Sequence, residues 1–83
     1  MNMIGAAEKT MELAKAHDME LLSSDIPELD FPHLQEMLEK MKDGDMSPTK
    51  LGRWLGWMQA AVVAAQIGIT LEDMKNINKQ FAD

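Results

Sequence analysis

Eighty-three residues with no cysteine, and with 14 acidic against 8 basic side chains for a net charge of -6, describe one small domain that no disulfide or thiolate zinc site can brace. The acidic balance excludes the basic stripe with which proteins displace counterions from duplex nucleic acid. Nine methionines, few glycines and prolines, and many Ala, Leu, Glu and Lys form a helix-building vocabulary, so the expected class is all-α: a single helical domain over 1–83, a small bundle of about four helices.

The first element expected is an amphipathic helix from about Met3 to Met19, within an amino-terminal helical segment 1–22. Ile4, Ala7, Met11 and Ala14, with Leu13, make its apolar stripe, while Glu8, Lys9, Glu12 and Lys15 face water. Its opening, MNMIGAAEKTMELAK, alternates apolar and charged residues and lacks the apolar core of a secretory signal, so a cytoplasmic location is expected. A linker over 23–32 follows, where Ser23, Ser24, Asp25, Pro27, Asp30 and Pro32 crowd turn and start signals together.

Asp30, ahead of Phe31 and Pro32, reads as the cap of a second helix from His33 to Lys42, with Leu34, Met37, Leu38 and Met41 on its apolar face. Asp43, Gly44 and Asp45 stop that helix and complete a helix-and-turn segment, 33–46. Ser47 before Pro48 marks the third start: a hydroxyl able to accept an orphan amide, then a proline in the first turn. Gly68 suits a left-handed terminator, and Thr70 with Asp73 three residues later caps a final helix to about Phe81, its inward stripe being Leu71, Met74, Ile77 and Phe81. Residues 47–83 thus form a helical hairpin.

The third helix, with LGRWLGWMQAAVVAAQIG from Leu51 to Gly68, has one charge and almost no face suited to water. Leu51, Trp54, Leu55, Met58, Val62 and Ala65 gather on one side and supply the core as the central apolar helix of the bundle. On the other side Gly52, Gly56, Ala60, Ala64 and Gly68 recur every four residues, a smooth band that admits a close helix neighbour. Interior glycines cost about 0.8–1.0 kcal/mol each relative to alanine, so an offset is required. The expected offset is an identical helix in a homo-oligomer, a dimer or higher, with Gly52, Gly56, Ala60 and Ala64 at the interface. The amino-terminal helix lying in the same groove is the competing arrangement. The longest apolar run, Trp54 to Ile69, is shorter than the roughly 20 residues of a membrane span, and no membrane role is expected.

Groups for catalysis or metal binding are sparse. His17, Asp18 and Glu20, and likewise Asp30, His33 and Glu36, lack the paired-histidine spacing of a helical zinc site, so neither a metal nor a cofactor is expected. Ser23, Ser24 and Ser47 sit at turns or caps with no nucleophile elbow, no catalytic residue stands out, and the chain is not expected to be an enzyme. Asp43, Gly44 and Asp45 lack the alternating ligands and closing glutamate of a calcium loop. What remains is Lys50, Arg53, Trp54, Trp57, Gln59 and Gln66 on one helix, of which Lys50, Arg53, Trp57 and Gln59 are the candidate ligand contacts. Cations for phosphate, a ring for stacking and a carboxamide for a base edge are the groups of a nucleotide pocket. A core tryptophan beside a solvated arginine is the plainer alternative.

The segment RWLGWMQAAVVAAQIGITLEDMKNIN, Arg53 to Asn78, resembles a group of short proteins encoded by tailed bacteriophages and prophages, whose shared core reads Arg-Trp-Leu-Gly-aromatic-x-Gln. Arg53, Trp54, Leu55, Gly56, Trp57 and Gln59 match it in order, followed by Gly68, Thr70 and Glu72 in the next turn. Ala60 stands where a glycine is common. The resemblance covers about the last third of the chain and leaves Met1 to Met46 unmatched. It implies a phage-encoded, non-enzymatic binding protein in the host-cell cytoplasm that counters a bacterial defence, with a small signalling nucleotide held between subunits, or a host defence protein, as partner. The alternatives are an acidic inhibitor gripping a basic host protein through Glu28, Asp30, Glu36 and Glu39, or a structural or assembly component of the virion.

Overall fold

In a computed structural model that describes residues 1–83, four helices follow one another: α1 (Met3–Ala16), α2 (Phe31–Lys42), α3 (Pro48–Ala64) and α4 (Leu71–Gln80). Single 3₁₀ turns at Met19–Leu21 and Pro27–Leu29 punctuate the strap between α1 and α2. The spine is the α1–α3 pair, with α2 and α4 each packed on both members. Ala6, Ala7 and Ala14 of α1 are fully buried, and their small side chains let α1 lie close to α3. Around that seam Leu34, Met41, Met58, Val62 and Met74 are also sealed from solvent, each burial contributing about 1.5–3 kcal/mol.

Three helix starts are capped by side chains. Asn2 accepts the Gly5 N–H at 2.8 Å, Ser47 Oγ accepts the Lys50 N–H at 3.2 Å, and Thr70 and Asp73 form a reciprocal box. The start of α2 departs from the expected design. It begins at Phe31 rather than His33, and the Asp30 carboxylate turns back to accept the Ser24 N–H at 2.6 Å, leaving the helix without a side-chain cap. Asp30 thus shapes the strap rather than the helix.

Two helices end earlier than their apolar patterns run. α1 stops at Ala16, three residues short of Met19, because Asp18 adopts a left-handed conformation (φ 63°), one that a short polar side chain tolerates better than most. Met19 still reaches the core from the 3₁₀ turn. α3 stops at Ala64, and the reversal into α4 takes two left-handed residues, Gln66 (φ 55°) and Gly68 (φ 88°), where a single one at Gly68 was expected. The turn is held from across the fold, since the His17 Nδ1–H donates to the Ile67 carbonyl at 2.8 Å.

The chain ends meet. The Asn2 N–H donates to the Phe81 carbonyl at 2.9 Å, and the Met1 ammonium pairs with the Asp83 carboxylate. Gly5 is required by this closure: a Cβ there would sit 2.6 Å from the Phe81 ring.

Candidate ligand groove between α2 and α3

Arg53 and Trp57 lie one turn apart on α3, with Trp54 half-buried on the same side, and α2 presents His33, Glu36, Met37 and Lys40 to them. These seven side chains border a groove of about 460 Å³. The Trp57 indole is fixed rather than loose. Its Nε1–H donates to the Glu28 carbonyl at 3.1 Å, which anchors one edge of the ring to the strap while 46% of the residue stays exposed. The Lys50 ammonium stands 5.2 Å from the centre of the Trp54 ring, a cation–π distance.

Charge is arranged unevenly here. Lys40, Lys50 and Arg53 are three of the chain's eight basic side chains, yet all three border this groove or its Trp54 flank. Lys40 shares its charge with Glu36 at 3.7 Å, whereas Arg53 has no carboxylate within 4.0 Å. An unneutralised guanidinium next to an immobilised, half-exposed indole suits a ligand that is planar at one end and anionic at the other.

Of the four ligand-contacting candidates, the fold brings Arg53 and Trp57 to the groove and Lys50 to its edge, but it places Gln59 elsewhere. Gln59 is 8% exposed and points into the seam among α1, α3 and α4. Its Nε2 donates to Thr10 Oγ1 at 3.2 Å and to Asn78 Oδ1 at 2.9 Å, and its Oε1 accepts from Asn78 Nδ2 at 3.1 Å. The Thr10 hydroxyl in turn donates to the Ala6 carbonyl at 2.8 Å. The carboxamide is therefore occupied internally, and the expectation that it reads a base edge is corrected. His33, weighed in the sequence only with Asp30 and Glu36 as a metal set, and Lys40, an ordinary member of a solvated face, are brought to this groove only by the docking of α2 against α3.

The small-residue band is divided. Positions four apart drift by about 40° per step around a helix, so a band that looks straight in sequence winds from one neighbour to the next. At its start a Cβ on Gly52 would meet the Met3 sulfur at 3.6 Å, so α1 takes that side, as the competing arrangement had it. Around Gly56 a Cβ would meet no atom within 4 Å, and Ala60 and Ala64 are exposed. Together with Leu71, which is 62% exposed, these three border a second depression of about 420 Å³ between α3 and α4.

No three His, Asp or Glu side chains converge as a metal-ligand set, and no helix is long and apolar enough to cross a membrane. Comparison with protein-family models, curated proteins and solved structures gives no match.

Proposed function

We propose that this chain is a non-enzymatic, phage-encoded binding protein that counters a host bacterial defence by sequestering a signalling nucleotide in the α2–α3 groove. The observation that carries the reading is the pairing of an unneutralised Arg53 with a half-exposed Trp57 whose indole is pinned by Glu28. Arg53 and Lys40 take the phosphate, Trp57 takes the base face, and Lys50 holds the neighbouring Trp54 ring in place. In the same reading a second copy covers Gly56, Ala60 and Ala64, the part of the band left open by a single chain.

Isothermal titration of the purified chain against linear and cyclic signalling nucleotides tests the groove, with inorganic phosphate and the free nucleosides as half-ligands. Saturable heat with nucleotides and much weaker heat with either half-ligand is the expected result. No heat with any member of the panel overturns the sequestration reading.

A further inference from the structure

Three of the six large apolar side chains that remain exposed fall within six consecutive residues of the strap joining α1 to α2: Leu21 at 78%, Leu22 and Ile26. The Asp30 carboxylate accepts the Ser24 N–H, Ser24 Oγ accepts the Ile26 N–H at 3.0 Å, and the Trp57 indole donates to the Glu28 carbonyl, so the Ser24–Asp30 part of the strap is braced by polar side chains. Beneath it lies a groove of about 350 Å³ bordered by Met19, Leu22, Leu29, Phe31 and Ala64, with Asp25 at its rim.

The charge on this strap has one sign. Between Lys15 and Lys40 there is no Lys or Arg, and Asp18, Glu20, Asp25 and Glu28 have no cationic partner within 4.0 Å. The carboxylates on α2 differ: Glu36 pairs with Lys40, and Glu39 with Lys42 at 3.9 Å, so they are already engaged. Exposed apolar side chains interspersed with uncompensated negative charge, beside an open groove, fit an occupant that is apolar on one side and cationic around it.

We propose that the strap over residues 18–31 is a docking surface for a basic amphipathic helix of another protein, one of whose apolar side chains enters the groove beside Leu22 while its cations meet the strap's carboxylates. This surface is separate from the α2–α3 groove and stands whether or not a nucleotide binds there. Opposite charge steers the encounter, and burial of Leu21, Leu22 and Ile26 retains the partner.

The test uses the full chain and fluorescent peptides about five helical turns long. A Leu/Lys amphipathic peptide is compared with a Leu/Glu peptide of the same apolar face and a Ser/Lys peptide of the same charge. Selective binding of the Leu/Lys peptide, weakening with salt, with amide shifts confined to residues 18–31 and the adjoining end of α3, is expected. The variant Leu21→Ser, Leu22→Ser, Ile26→Ser should lower affinity at least tenfold. The variant Asp25→Lys, Glu28→Lys alters only exposed side chains and should turn the preference toward the Leu/Glu peptide. Equal binding of all three peptides, shifts elsewhere, or unchanged affinity in both variants overturns the proposal. So does light scattering in which the serine variant dissolves a dimer of the native chain, which would make the strap a contact between copies.

Discussion

Gln59 and Asn78 exchange hydrogen bonds in both directions, 2.9 Å one way and 3.1 Å the other, and so tie α3 to α4 through a pair of side-chain amides. A buried amide stripped of its partner costs about 1–3 kcal/mol, whereas removing both partners together is far cheaper. Asn78→Ala is therefore expected to lower stability by about 1–3 kcal/mol in urea unfolding. Gln59→Leu with Asn78→Leu should cost less than the sum of the two single changes. Nucleotide titration should be unaltered in Asn78→Ala, since the amide pair lies away from the groove.

At the groove, Arg53→Gln keeps a long polar side chain but removes the charge. A charge-assisted hydrogen bond contributes about 1.5–3 kcal/mol, so nucleotide affinity should fall by about tenfold to a hundredfold, read by titration calorimetry. Trp57→Phe retains a ring and loses the bond to Glu28, and should bind more weakly than native but better than Trp57→Ala. Thermal melts of Arg53→Gln should stay close to native, because an exposed side chain without a partner adds little to the fold.

Gly56 separates what one chain needs from what an assembly needs. With no atom near its would-be Cβ, Gly56→Ala should stabilise a lone chain by about 0.8–1.0 kcal/mol, the helix-propensity difference, measured by urea unfolding. Gly56→Leu should remain folded and lose self-association, measured by light scattering across a concentration series. A native chain that stays monomeric at high concentration overturns the self-association reading.

The Thr70 backbone N–H, donating to the Asp73 carboxylate at 2.8 Å, holds the Asp73 carboxyl below its ordinary value of 3.8, and the Thr70 hydroxyl adds to the effect. A carboxyl depressed by folding contributes stability that is complete above its unfolded value and is lost as pH falls through its folded value. Melting temperature should therefore drop below about pH 4. In Asp73→Asn that acid-side drop should be shallower, with a lower starting stability at neutral pH; an unchanged profile would remove the capping box from the account.

Local chemistry was legible where a single turn decides the outcome. Ser47 before Pro48, and Thr70 three residues before Asp73, announce helix starts because donor and acceptor are neighbours in the chain. Arg53 and Trp57 share a face by helical spacing alone, so their pairing could be read without the fold. Gln59 was misread for the opposite reason. A polar residue on an apolar helix looks like a ligand contact until Thr10 and Asn78, 49 and 19 residues away, are seen to saturate it. Asp30 illustrates competition at short range: the strap's Ser24 amide won its carboxylate from the helix it precedes. The place of His33 and Lys40 in the groove became visible only once α2 was docked, since no linear pattern marks which residues of a helix will face a neighbour.

The closure of Asn2 on Phe81, with Gly5 pressed to the aromatic ring, turns the polypeptide into something near a loop. Any segment attached before Met1 and any attached after Asp83 would leave from the same corner, side by side. That corner is formed by the start of α1 and the end of α4, whereas the strap and the lining of the α2–α3 groove are supplied by other parts of the chain.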